Sequence, residues 1–237
     1  MASEPGAHLM RRCDIGFFAA IACAGAGAVL LAMGRKRAAA AAAGAAAISG
    51  VYSRAQSRRS PQPMPSALWW SLLLPRGRHG SSHLLALLQP MPGERILEIG
   101  PGIGVHALPV AKAIAPNGTL TAVDVSPAML AKLRRRALRA GITGIEPRAG
   151  DAAHLPFPDR AFDAAYLISV LGEVPDRQAA WAELRRVLKT EARLLVGEFA
   201  LDPDFVRLAS IQREAEAAGF KVDRVVGGRL SYLALLR

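Results

Sequence analysis

Cysteine is nearly missing from this chain: Cys13 and Cys23 are the only two among 237 residues. Both lie in or beside an apolar N-terminal stretch, which excludes a disulfide framework and a cysteine metal knuckle. Histidine is also scarce. His79 and His83 are four apart, but Gly80 sits between them and no acidic partner is near, so the pair reads as a polar loop and no metal site is expected. Acids are short as well, 19 against 30 Lys and Arg, for a sequence pI near 10.7. The deficit is uneven. Residues 1–60 hold eight basic residues and two acids, whereas the other 177 carry 22 and 17. About half of the excess therefore flanks an apolar run, which fits an anionic membrane surface better than nucleic acid.

That run, residues 15–34, is 20 residues without a charge. It is long enough to cross a bilayer core of about 30 Å at about 1.5 Å per residue. Ala and Gly supply much of it. A secretory signal is the competing reading, with Arg11 and Arg12 as its basic start. Arg35, Lys36 and Arg37 follow directly, and the basic surplus beyond the run predicts that the C-terminal side stays in the cytoplasm. Residues 38–53, nearly all Ala and Gly, read as a linker or marginal helix, and residues 57–65 as a flexible boundary. The chain thus divides into an N-terminal segment over 1–60 with a candidate anchor at 15–34, a lid or interface segment over 61–90, and a catalytic-type domain over 91–237.

Within the last part, the strand-like run Arg95 to Ile99 contains Glu98 and leads into Gly100-Pro101-Gly102-Ile103-Gly104, then an apolar helical stretch from Val105 to Ala115. Strand, glycine turn and helix make the opening unit of a doubly wound sheet. Glycine lets the backbone approach a ligand closely. Gly102 to Ala107 also satisfies G-x-G-x-x-A, and Asp124 lies 20 residues past Gly104, so an NAD(P) site fits these residues equally well. A second strand, Leu120 to Val125, carries Asp124 near its end, with Ser126 as a helix cap and Pro127 as the first helical residue. A third, Ile145 to Ala149, precedes Gly150-Asp151-Ala152, and a fourth spans Phe162 to Ile168. Any one of Glu98, Asp124 and Asp151 alone suits a cap or a solvated strand end. Their shared place at the carboxyl ends of successive strands makes a binding crevice the better reading.

The series I-L-E-I-G-P-G-I-G (96–104), V-D-V-S-P-A-M-L (123–130), G-D-A-A-H-L-P-F-P-D-R-A-F-D (150–163), E-V-P-D (173–176) and R-V-L-K (186–189) resembles the class I S-adenosylmethionine-dependent methyltransferases. The likeness is to the branch with the ubiquinone and menaquinone biosynthesis methyltransferases, methyltransferase domain type 11. It covers residues 90–237 and implies S-adenosyl-L-methionine (SAM) as cofactor. By that resemblance Glu98, Gly100, Gly102 and Gly104 border its methionine part. Asp124 holds the ribose, with Val125 and Met129 close by, Asp151 and Ala152 border the adenine, and Leu167 contributes backbone near the substrate mouth. Two departures stand out. Thr190-Glu191-Ala192 replaces the usual Pro-Gly-Gly before the fifth strand, Leu194 to Phe199, and Gly172 stands where many relatives have a larger polar residue.

The chain end distinguishes the two cofactor classes. A helix from Asp202-Pro203 to Gly219 is followed by strand-like runs Phe220 to Val226 and Arg229 to Leu236 around Gly227-Gly228, the pattern of an antiparallel hairpin. Methyltransferases of this class end with such a reversed strand, whereas dinucleotide domains keep it parallel. The expectation is a Rossmann-like seven-stranded sheet of order 3-2-1-4-5-7-6, preceded by an N-terminal hydrophobic helix. Methyl transfer needs alignment and water exclusion more than an acid/base pair. For a neutral nucleophile, Glu173 after the fourth strand is the expected base, with His106, His154 and Tyr166 as further ionisable groups. No N-P-P-Y-like segment follows that strand, which disfavours methylation of a base or glutamine nitrogen. Ala67 to Pro75, with Trp69 and Trp70, reads as a lid over an apolar substrate or as a membrane-interface element. The function expected is methyl transfer to a small lipophilic acceptor. A NAD(P) oxidoreductase or a non-catalytic interaction module remains the alternative.

Overall fold

A computed structural model describes residues 12–59, 61–73, 80–200 and 202–237. Its strands are β1 (Arg95–Ile99), β2 (Thr119–Asp124), β3 (Ile145–Ala149), β4 (Phe162–Ile168), β5 (Leu188–Phe199), β6 (Val222–Gly228) and β7 (Ser231–Leu236). They form one sheet in the order β3-β2-β1-β4-β5-β7-β6, as the sequence implies. The first five are parallel, and β7 runs antiparallel to both β5 and β6.

The central strands are apolar throughout because both faces are covered. On one face Leu97, Ile99, Leu167, Leu194 and Val196 meet Trp181 and Leu184 of α6 (Arg177–Val187) and Ile211 of α7 (Leu208–Ala217). On the other, Ile96, Leu120 and Leu195 meet Leu84 and Leu88 of α3 (Ser81–Leu88), Val110 and Ile114 of α4 (Ala107–Ile114), and Leu130 and Leu133 of α5 (Pro127–Arg139). Each such leucine contributes about 1.5–3 kcal/mol on burial. β3 is the exposed edge, which is why it tolerates Pro147.

Elsewhere the chain departs from expectation. Of the two readings of residues 38–53, linker or marginal helix, the helix holds: they are part of α2 (Lys36–Arg59), which folds back on α1 (Arg12–Ala32) as a helical hairpin. Alanine has the highest helix propensity, and small residues let the two helices close on each other. A Cβ on Gly16 would lie 3.1 Å from the Ser49 carbonyl, and one on Gly27 would lie 3.4 Å from that of Ala39. The bilayer-spanning helix expected over 15–34 is not found: among the described residues no helix is long and apolar enough to cross a membrane. The small residues of α1 serve contact with α2, while Ile15, Ile21, Val29 and Leu31 remain exposed. Residues 57–59, expected in a flexible boundary, complete α2 instead.

The segment around His83 is not a polar loop. His83 is exposed on α3, whose Leu84, Leu87 and Leu88 are buried. His79 and residues 74–75 of the expected lid lie outside the described residues. β5 begins at Leu188, directly after α6, with a bulge that accommodates Lys189 to Ala192. α7 starts at Leu208, because Asp202 binds the Asp204 amide in a turn rather than capping a helix. The hairpin reverses at Arg229 and Leu230, with both glycines inside β6.

Candidate active site

The carboxyl ends of β1 and β2 carry the turn that the sequence singled out. Gly100 donates to the Val123 carbonyl at 2.8 Å and Gly104 to that of Pro101 at 2.8 Å, fixing both ends of the turn. Gly102 and Gly104 adopt φ of +52° and +81°, a region that penalises any side chain. A Cβ on Gly104 would also overlap Leu133 of α5. Asp124 ties the turn to the next loop: Oδ2 accepts from the Gly102 amide at 3.1 Å and Oδ1 from the Ser126 amide at 2.8 Å. Burial pushes its carboxyl up from the usual range, while those two backbone donors oppose the rise. Ser126 caps α5 through the Met129 amide at 3.3 Å.

Glu98 lies beneath this turn and is 3% exposed. Burial raises its pKa to about 8; the hydroxyl of Tyr166, its cross-strand neighbour, lowers the shift, and the Asp124 charge adds to it. The Tyr166 hydroxyl and Glu98 Oε2 each lack a well-formed hydrogen bond among the described residues. A buried carboxyl oxygen without a donor is costly unless a ligand supplies one. The site therefore suits a molecule that brings positive charge to Glu98 and hydroxyl groups to Asp124.

Val125 is exposed beside Asp124, and Met129 is buried in the first turn of α5. Asp151 and Ala152 follow β3, with Asp151 Oδ1 accepting from the Ala153 amide at 2.9 Å. The Leu167 side chain is buried in the core, so only its backbone faces the crevice end of β4. Glu173 closes a short 3-10 turn, Leu171–Glu173, directly after β4, and is partly buried. Of the other ionisable groups, Tyr166 is locked inside the sheet. His106 is buried with Nδ1 against Ser81 Oγ at 3.2 Å, and His154 is exposed beyond β3.

Two features were missed by sequence reasoning. Leu72, in the 3-10 strap Ser66–Leu73, lies over the glycine turn, so close that a Cβ on Gly102 would meet its Cδ1 at 2.8 Å. No local pattern announces a contact across 30 residues. The loop after β5 is the other. A Cβ on Gly172 would overlap the Asp204 carbonyl oxygen and lie 2.6 Å from its carbon. That loop is held by α2, where Ser57 donates to Asp204, Arg54 donates to the Ala200 carbonyl, and the Arg54 guanidinium sits 5.8 Å from the Phe205 ring centre. The larger residue of relatives has no room here, which accounts for the departure at 172. Gly172→Ala should cost about 1–3 kcal/mol, the usual range for overpacking against backbone. A thermal denaturation curve unchanged from the parent would refute the contact.

Comparison with known proteins places this geometry in a wide group. Residues 96–191 match the family described as methyltransferase domain. A 37.1 kDa protein in transposon Tn4556 of Streptomyces fradiae is 34% identical over 163 residues, 67% of this chain and 47% of that protein. A ubiquinone/menaquinone biosynthesis C-methyltransferase of Cupriavidus pinatubonensis is 37% identical over 110 residues, 46% of this chain and 44% of the relative. The match thus spans less than half the length of either relative. Among solved structures, a SAM-dependent methyltransferase from Aquifex aeolicus shares the fold with a TM-score of 0.68 at 19% identity, covering 73% of this chain and 98% of that one.

Proposed function

We propose that the chain moves the methyl group of SAM to a small, lipophilic acceptor by in-line displacement, its residues 96–191 matching a methyltransferase domain. The observation that carries the reading is the convergence on one rim of the glycine turn, the Asp124 carboxylate bonded to it, and Glu98 with an oxygen lacking a donor.

When bound, the cofactor supplies an electrophilic methyl group on a sulfonium that is already a good leaving group. Asp124 accepts hydrogen bonds from ribose hydroxyls, Glu98 faces the charged methionine end, and Asp151 and Ala152 border the adenine. Leu72 and the strap around it exclude water from the turn. The 3-10 turn after β4 and the loop held by Ser57 and Arg54 pack against each other as one wall of the acceptor site, braced by the hairpin of α1 and α2. A lipophilic acceptor is supported by the apolar strap, whose Leu72 meets the glycine turn, and by the likeness to a ubiquinone/menaquinone biosynthesis C-methyltransferase.

Glu173 is the base we assign to a phenol or enol-like nucleophile. Glu173→Gln should leave cofactor affinity intact and slow turnover by about 100-fold, the lower end of general-base contributions. Full turnover in that variant would remove the assignment. Titration calorimetry with SAM and with NADH tests the cofactor reading, since binding of the second alone would favour the oxidoreductase. Transfer of labelled methyl into quinones or membrane lipid extract, rather than protein or RNA, would establish the acceptor class. Tight SAM binding without transfer to any of them would favour the non-catalytic module.

A further inference from the structure

The strap that covers the glycine turn has a second side. While Leu72 faces Gly102, Trp69, Trp70 and Leu73 are 37%, 47% and 55% exposed. Soluble surfaces rarely leave two tryptophans and a leucine open within five residues. The strap abuts α5, where Lys132 Nζ stands 5.7 Å from the Trp69 ring centre. α5 carries Lys132, Arg134, Arg135, Arg136 and Arg139 and no acid. Arg136 and Arg134 spend part of their donors on the carbonyls of Ile103 and Pro147, while Arg135 and Arg139 are exposed beside Leu138, itself 81% exposed.

The apolar surface continues in the other direction. The Phe18 ring lies 6.3 Å from that of Trp70, joining α1 to the strap. The strap and α5 together offer interfacial aromatics, the exposed Leu73 and Leu138, and an acid-free row of cations.

We propose that the strap Ser66–Leu73 and α5 form a docking face for an anionic lipid bilayer surface, with Trp69 and Trp70 at headgroup depth and the α5 arginines against lipid phosphates. Tryptophan favours the membrane–water interface because it is apolar with one polar N–H. Cations beside it gain from the negative surface potential. A nucleic acid would satisfy the cations and stack on the rings, but it offers nothing to Leu73 and Leu138. An acidic protein would need a matching apolar patch for both α5 and the strap. A bilayer meets every requirement with one chemistry, and needs no helix that spans it. Docking in this orientation turns the cofactor turn toward the lipid. Its value to catalysis rests on the lipophilic-acceptor reading, whereas the binding itself does not.

The test is co-sedimentation of the full chain with vesicles of phosphatidylcholine alone and of phosphatidylcholine mixed with phosphatidylglycerol, at low and high salt. Anionic vesicles should bind on the order of tenfold or more tighter than neutral ones, and salt should weaken that binding. Arg135→Glu combined with Arg139→Glu, and separately Leu138→Glu, should each reduce vesicle binding on the order of tenfold while SAM affinity and melting temperature stay at parental values. Equal binding of both variants, equal binding to neutral vesicles, or capture by RNA in preference to anionic vesicles would overturn the proposal. If vesicles bind as expected but no lipophilic acceptor is methylated, the acceptor reading fails and the docking face stands.

Discussion

Asp124→Ala should weaken SAM binding by about 1,000-fold with only a small loss of fold stability. Two hydrogen bonds from ribose hydroxyls to a carboxylate, at about 1.5–3 kcal/mol each, total about 4 kcal/mol on a conservative sum. The apo protein depends on this side chain less. Its two partners, the Gly102 and Ser126 amides, lie at the sheet rim where Asp124 is only partly buried, so water replaces the lost acceptor. Burial already disfavours the charge, so its removal relieves a desolvation cost. Asp124→Asn keeps one acceptor oxygen and should fall between parent and alanine variant. Calorimetric titration beside thermal denaturation separates the two quantities. A correctly folded Asp124→Ala that takes up SAM as tightly as the parent would show that the ribose lies elsewhere and would end the cofactor assignment.

The sheet was legible because its central strands are buried on both faces and several of its strands are bounded by glycine, proline or asparagine. β1, β3 and β4 run between the residues that the sequence pattern gave them. The glycine turn and Asp124 were legible too, since their chemistry is local. What escaped was decided by distant packing. α2 has almost no apolar stripe and so reads as no more than a linker or marginal helix, yet the small residues that weaken the helix signal are the ones that fit it to α1. The charge-free run of α1 satisfies the length of a membrane span, but length says nothing of a partner helix that uses its small residues. α3 was obscured by the serines at its start, although Leu84, Leu87 and Leu88 keep helical spacing. Gly172 read as a departure from the family without a cause. Its cause is the Asp204 carbonyl, brought there by a loop that α2 holds in place.

Glu98 leads to the second large effect, in which cofactor binding releases a proton. The native carboxyl holds its proton to about pH 8, whereas the unfolded chain lets it go near 4.5. Between those values the native state binds more protons, so stability from this group is full below about pH 4.5, falls as pH rises, and levels off above about pH 8. The total is on the order of 5 kcal/mol, taken from a gap of about 3.5 pH units at about 1.36 kcal/mol each. Glu98→Gln should flatten that decline and melt higher than the parent at alkaline pH.

Ligand binding works in the opposite sense. A molecule that sets an ammonium and a sulfonium near Glu98 favours its ionised form, so near neutral pH nearly one proton should leave for each SAM bound. The binding enthalpy of the parent should then vary with the ionisation enthalpy of the buffer, and affinity should rise with pH until about 8. Glu98→Gln should remove both dependences and bind more weakly, the deficit widening as pH rises. S-adenosylhomocysteine, which keeps the ammonium and lacks the sulfonium charge, should release less. A buffer-independent enthalpy in the parent would mean that Glu98 does not ionise on binding. The oxygen without a donor under the turn would then be a fixed neutral acid rather than the receiver of the cofactor's charge.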